Sequence, residues 1–273
     1  MIELPESRNL SRQLNDTIKG KKVLNVATNK SPHKFAWFRG NPAEYHELLA
    51  GKTISGSAAF GGMAELYAGS MRLVFSDGIN LRYIETGGKI PDKHQLLIEF
   101  DDFSSLACSV QMYGALLLLG DEETERYNEY ARQKINPLSD EFDEACFRSL
   151  YIGSDSKLSV KAFLATNQRI PGLGNGVLQD ILFNAGIHPK RKMGTLSDTG
   201  FNSLYHSVKS TLSDMTAKGG RDTEKDIFGR DGGYMTLMSN KTKDLPCPVC
   251  GNGITREAYM GGNIYFCPKC QPL

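Results

Sequence analysis

Four cysteines near the C-terminus constrain this chain more than any other feature. Cys247-Pro-Val-Cys250 is followed, after sixteen residues, by Cys267-Pro-Lys-Cys270. Two residues between thiolates let one tight turn aim both sulfurs at one Zn2+, and a hairpin of this length brings the second pair round to close a tetrahedron. Gly251, Gly253, Gly261 and Gly262 provide turns, and residues 254–260 and 264–266 have the character of the two hairpin strands. Four sulfurs leave no open position for water, so the single zinc expected here is structural and not a catalyst. Redox motifs or disulfides are the competing reading, opposed by a reducing compartment and by the lack of a βαβ context. Cys108 and Cys146 read as small hydrophobes. A four-Cys hairpin serves DNA, RNA and protein partners alike, so it does not by itself name one.

The rest of the chain divides by period. Up to about residue 120 the pattern is strand-like, with candidates at 23–27, 72–75, 81–84, 95–100 and 106–110. One helix precedes them, carrying Leu10, Leu14 and Ile18 on a single stripe, and a short one is expected at 42–49 with Pro42 in its first turn. Beyond Pro137 the period becomes helical. Ser139 can cap a helix whose first turn holds Asp140 and Glu141, and further helices fit 159–165, 175–184 and 197–217. The charged stretch 121–136 lacks an apolar stripe and reads as a linker. The expected domains are therefore 1–120, a linker 121–136, a helical 137–240 and a zinc finger 241–273.

At 273 residues with 40% hydrophobic content the chain has the length and composition of one large or two medium globular domains. Its longest aliphatic run, 116–119, is far short of the roughly 20 apolar residues of a membrane helix, and no secretory signal is expected from the acidic start. A cytoplasmic protein without a membrane partner is the expectation. Net charge is only +1, but residues 99–144 hold twelve acids against three bases, whereas 155–192 hold six bases against two acids. Such segregation suits a protein that offers an anion one face, although a solvated basic face has the same signature.

The basic stretch contains the second motif. Pro171-Gly172-Leu173-Gly174 forms a turn, and Asn175 opens a helix whose apolar face is Val177, Leu178, Ile181 and Leu182. Amides at a helix start, with glycines that let a ligand approach, make an anion site suited to a DNA phosphate. The alternative is an ordinary turn capped by an asparagine. The glycine spacing and the absence of a preceding strand exclude a dinucleotide fingerprint.

This turn and its helices resemble the helix–two-turn–helix of the formamidopyrimidine-DNA glycosylase/endonuclease VIII (Fpg/Nei) family. Met1-Ile2-Glu3-Leu4-Pro5-Glu6 is similar to that family's Met-Pro-Glu-Leu-Pro-Glu start, and Asn184-Ala-Gly-Ile-His-Pro189 and Cys267-Pro-Lys-Cys-Gln271 are similar to its later motifs. The resemblance spans the chain. It implies an α+β fold: an N-terminal β-sandwich with flanking helices, the helical module and the four-Cys zinc hairpin. It implies a monomeric DNA repair protein, nucleoid-associated in a bacterium, whose partner is double-stranded DNA carrying a damaged base or abasic site.

In that family an N-terminal proline amine attacks the sugar C1′ of a flipped nucleotide, and a carboxylic acid moves protons. By resemblance Glu3 takes the acid role and Glu6 supports the site. Asn175, Lys161, Arg169, Lys190 and Arg191 would hold phosphates. Gln111-Met112-Tyr113-Gly114 falls on the family's Arg-Arg-Phe-Gly wedge, so Tyr113 would fill the hole left by the flipped nucleotide and Gln111 would bond the orphaned base. The segment 219–234 matches a lesion-covering loop. Three positions depart. Ile2 replaces the proline and disfavours removal of Met1, Gly61 or Gly62 stands where a lysine reaches a phosphate, and Gly262 stands at the finger arginine. The expectation is damaged-DNA binding with weak or altered catalysis. The alternatives are an active glycosylase/AP lyase using Glu3 and a non-proline amine, or an interaction module on an unrelated body.

Overall fold

The computed structural model describes residues 1–121, 123 and 126–273, in two compact units. The first comprises Met1–Arg132 with Glu224–Gly232, the second Gln133–Thr223 with Gly233–Leu273. The hairpin read as a separate 241–273 segment thus belongs to the same unit as the helices.

In the first unit α1 (Leu4–Ile18) starts with a capping box, in which the Glu3 amide donates to Glu6 Oε2 at 3.2 Å. Its stripe of Leu10, Leu14 and Ile18 is buried as the period requires. Next come β1 (Val23–Thr28), β2 (Ala36–Phe38), α2 (Tyr45–Leu49), β3 (Ile54–Phe60), β4 (Met63–Ala68), β5 (Met71–Ile84), β6 (Leu96–Phe100) and β7 (Ser105–Gly120). Hydrogen bonding follows the order β1-β6-β7-β5-β4-β3, with β2 parallel to β7.

Several features differ from the sequence expectation. The candidates at 72–75 and 81–84 are one strand, β5, whose register with β7 breaks between Asp77 and Ile79. Asp77 pairs with Gly114 and Ile79 with Val110, so Gly78 alone faces residues 111–113. The break divides the long β5–β7 ribbon into two halves, one carrying β4 and β3 and the other β6 and β1. Both halves feed one apolar core, from Leu73, Phe75 and Leu116 to Leu81, Ile98 and Phe100. Strands β3 and β4 escaped a period-2 reading because Ser-Gly-Ser-Ala-Ala lacks the branched side chains that mark strands; α1 covers both.

The stretch expected as a linker contains α3 (Arg126–Gln133); its residues 122, 124 and 125 lie outside the described residues. In place of an apolar stripe, Arg132 pairs with the fully buried Glu65 of β4, its guanidinium 3.8 Å from the Phe60 ring centre.

The second unit holds α4 (Glu144–Ser149), α5 (Val160–Ala165), α6 (Val177–Asn184), α7 (Asp198–Ala217), β8 (Thr255–Tyr259) and β9 (Gly262–Phe266). Ser139 does not cap a helix. Its hydroxyl donates to Asn136 O in a turn, and Asp143 caps α4 by accepting from the Cys146 amide at 2.7 Å. Ser159 and Ser197 do cap α5 and α7. Val177, Leu178, Ile181 and Leu182 form the centre of the core with Phe147, Phe163 and Leu212.

Candidate nucleic-acid interface and metal centre

In the second unit the glycine turn and the four-cysteine hairpin meet. Asn167, Gln168 and Gly172 take positive φ (58°, 47° and 80°), which reverses the chain ahead of α6. Asn175 Nδ2 donates to Asn263 O at 3.1 Å, and Gln179 Nε2 donates to the same carbonyl at 3.1 Å. Gln179 Oε1 in turn accepts from the buried Tyr265 amide at 3.1 Å. A Cβ on Gly262 would lie 3.4 Å from Asn175 Nδ2, so the hairpin tip closes directly on the turn.

The four cations expected to face phosphate are not equivalent. Lys161 is 3% exposed and donates from Nζ to Tyr259 O at 2.7 Å; burial lowers its pKa. Arg169 is in a partly buried ion pair with Asp155 at 2.7 Å. Lys190 pairs with Glu257 of β8, and Arg191 donates to Pro272 O at 2.8 Å. Three of the four therefore fasten the helical part to the hairpin and its tail; Lys161 is buried, whereas Arg169, Lys190 and Arg191 are partly exposed. The sequence shows the charges; it does not show that backbone carbonyls and carboxylates of the same unit claim them.

Cys247, Cys250, Cys267 and Cys270 converge with their sulfurs all within 4.8 Å of one another. Cys250 and Cys267 Sγ are 3.5 Å apart, Cys247 and Cys270 Sγ 3.8 Å. A tetrahedral site with metal–sulfur bonds of about 2.3 Å needs sulfurs about 3.8 Å apart, so this donor set fits a metal ion. The thiols differ: the Asn252 amide pulls Cys250 down to about 7, and the neighbouring Cys250 sulfur pushes Cys270 up to about 12. Four thiolates this close repel one another, and a dication relieves that repulsion.

Sequence reasoning missed Gln179 and Asp180. The Asp180 carboxylate is buried in α6 and accepts from the Leu237 and Met238 amides, both at 2.8 Å. Burial raises its pKa. Two adjacent polar residues on an otherwise apolar helix were the available signal.

In the first unit Glu3 and Glu6 are buried together at the start of α1. Ser7 Oγ donates to the carbonyl of Gly61 at 2.6 Å, so the Gly61-Gly62 hairpin turn adjoins this start. Ile2 is buried in the core, and its amide donates to Asp77 O at 2.6 Å. Met1 N pairs with Glu224. Asp77 has φ 57°, and burial raises its pKa. Gln111 and Met112 are exposed in the bulge, whereas Tyr113 is half-buried with its ring 6.0 Å from Trp37.

Residues 134–226 match the sequence model of the formamidopyrimidine-DNA glycosylase H2TH domain. A formamidopyrimidine-DNA glycosylase of Wolbachia pipientis subsp. Culex pipiens (strain wPip) is 31% identical over 282 aligned residues, spanning 99% of this chain and all of that protein. The chain belongs to the formamidopyrimidine-DNA glycosylase family. The Legionella pneumophila Philadelphia 1 glycosylase is 28% identical over 100% of this chain and 99% of its own. Among solved structures, Lactococcus lactis Fpg in complex with abasic-site DNA superposes with TM-score 0.84 at 24% identity, covering 99% of this chain and 100% of that one. The MutM (Fpg) protein of Thermus thermophilus gives 0.81 at 22% identity, with 98% of both chains covered. Ile2 is a core side chain, so the chain start is anchored by apolar packing as well as by the amide bond to Asp77.

Proposed function

We propose that this protein binds duplex DNA at damaged or abasic sites in DNA repair, with weak or altered catalysis, and carries one structural Zn2+ on Cys247, Cys250, Cys267 and Cys270. The observation that supports it best is the contact of Asn175 and Gln179 with Asn263. It brings the helix-start amides and the hairpin tip together, as a phosphate-binding edge requires. Lys190 and Arg191 extend this edge, while Lys161 and Arg169 hold it in shape. Zinc would supply a cross-link and no reactive position. In the first unit the 111–113 bulge is the element offered to an unstacked base step, with Gln111 and Met112 outermost and Tyr113 behind them. A monomer in the cytoplasm, at the nucleoid in a bacterium, is part of this reading.

Three features support altered catalysis: the buried Ile2, and glycine at the positions of the lysine and the finger arginine. One observation favours the second reading, an active glycosylase/AP lyase using Glu3 with Glu6 and a non-proline amine. The amine of Met1 lies against Glu224, in the unit that also buries Glu3.

The test is fluorescence anisotropy on labelled duplexes with and without an abasic site, followed by borohydride trapping. We expect tighter binding to the abasic duplex and little trapped adduct. Equal affinity for both duplexes refutes the proposal. An abundant adduct that is lost in Glu3→Gln, with its amine mapped by mass spectrometry, establishes the second reading instead.

A further inference from the structure

Residues 29–43 have a composition that the proposed function does not use. Lys30, His33, Lys34 and Arg39 alternate with Phe35, Trp37 and Phe38, and no acid occurs in the stretch. Cations that track a backbone, interleaved with rings that stack on bases, are how proteins hold single-stranded nucleic acid. The fold sorts these rings. Strand β2 is three residues long and pairs with β7 through Ala36–Gly114, Trp37–Ala115 and Phe38–Leu116. Alternation then sends Ala36 and Phe38 toward the core, where Phe38 meets Tyr45 edge-on at 5.8 Å. Phe35 and Trp37 face the other way and remain 46% and 49% exposed.

The exposed rings do not stand singly. Trp37 lies 6.0 Å from Tyr113, Phe35 lies 6.3 Å from His33, and Lys34 Nζ sits 5.3 Å from the Phe35 ring centre. Met112, 65% exposed, follows in the adjoining bulge. Scattered surface apolar groups are ordinary, but a run of them rimmed by cations marks a binding surface. The spacing also suits bases. A strand rise of about 3.3 Å sets the attachment points of Phe35 and Trp37 roughly 7 Å apart, twice the stacking distance of about 3.4 Å along one DNA strand. Lys30 and Lys34 flank the rings, while Arg39 is shared with Glu123 at 3.4 Å.

We infer that Phe35 and Trp37, with Lys34 and Tyr113, form a stacking platform for unpaired bases of single-stranded DNA. This goes beyond the proposed function, since it needs neither a lesion nor a duplex and does not involve the second unit.

The chain has one tryptophan, so its intrinsic fluorescence reports the platform directly. An oligothymidylate is titrated into the full-length protein, and a blunt, fully paired, undamaged duplex serves as the comparison. Stacking of a thymine on Trp37 should quench emission with the oligothymidylate and far less with the duplex. Phe35→Leu keeps the reporter and should weaken oligothymidylate binding between about fivefold and a hundredfold, the loss of one base–aromatic stack. Trp37→Leu, followed by anisotropy of a labelled oligothymidylate, should weaken binding by a similar factor. No quenching, equal quenching by the blunt duplex, or unchanged single-strand affinity in both variants overturns the platform. If abasic-duplex binding fails while oligothymidylate still quenches, the proposed function falls and the platform stands.

Discussion

At the scale of single residues, Gly78 shows how one missing Cβ shapes a candidate contact. A Cβ there would lie 2.5 Å from Tyr113 O, a separation that real side chains do not adopt, and the obstacle is backbone and cannot swing aside. Only glycine lets residues 111–113 close over position 78. Gly78→Ala should therefore displace the bulge and cost about 1–3 kcal/mol, the usual range for overpacking. Urea unfolding measures this loss. Gly153→Ala, where no heavy atom lies within 4 Å of the added carbon, should be near neutral; equal costs at the two positions would show that the bulge is not tight. Such a constraint was not legible in the sequence, where Ser76-Asp77-Gly78 reads as a turn between two strands. Lys161 shows the converse limit. Its charge was legible, but its engagement was not, because Tyr259 O comes from a hairpin 98 residues away.

At the scale of elements, legibility follows local signals. Helices α5 and α7 agree with the expectation, and each begins at a serine, Ser159 or Ser197, whose side chain caps it. The start of α4 differs from the expectation because the cap is made four residues beyond Ser139, by Asp143 accepting from the Cys146 amide. The junction of α6 with β9 was legible only as two motifs, a glycine turn and a cysteine hairpin; their contact through Gln179 is tertiary. His188, beside that junction, gives it a pH dependence. The ring is buried 4.3 Å from Phe266, and its Nδ1 accepts from the Lys190 amide at 3.0 Å. Burial, assisted by Lys190 and Arg191 and opposed by Glu257, lowers its pKa below the ordinary 6.5. The folded form thus prefers the neutral ring. Above about pH 6.5 folded and unfolded chains are both neutral and stability is complete; below it the unfolded chain takes up the proton first, and stability falls until the folded value is passed. His188→Asn, which keeps an acceptor near Nδ1, should flatten the decline of urea midpoint between pH 7 and pH 5.5. An identical slope in the variant would assign the pH dependence to other groups.

At the scale of the molecule, each of the two units has its own main core, and the cysteine cluster belongs to the second alone. The hairpin's own apolar cluster is small: Phe183, Met238 and Tyr265 with Cys247 and Cys267 are its buried members. An isolated two-stranded hairpin is marginal in water, so this one relies on Ile264 and Phe266, also buried, and on its bonds to the helices through Lys161, Asn175 and Gln179. If the four thiols hold Zn2+ as proposed, the metal should add strongly to the hairpin's order, since zinc-finger peptides gain on the order of 10–16 kcal/mol from it at pH 7. Prolonged chelation should expose the hairpin and leave the seven-stranded sheet folded. Hydrogen exchange resolves the two. Amides of β9, including that of Tyr265 on Gln179, should lose protection by several orders of magnitude, while β5 and β7 exchange as before. Abasic-duplex affinity should fall together with the β9 protection, because Asn263 is what positions Asn175. Zinc added back should restore both, and Cys267→Ser should reproduce the chelated pattern without a chelator. If β9 stayed protected after the metal had been removed, helix–hairpin hydrogen bonds alone would be holding the tip, and the four thiols would have no structural task.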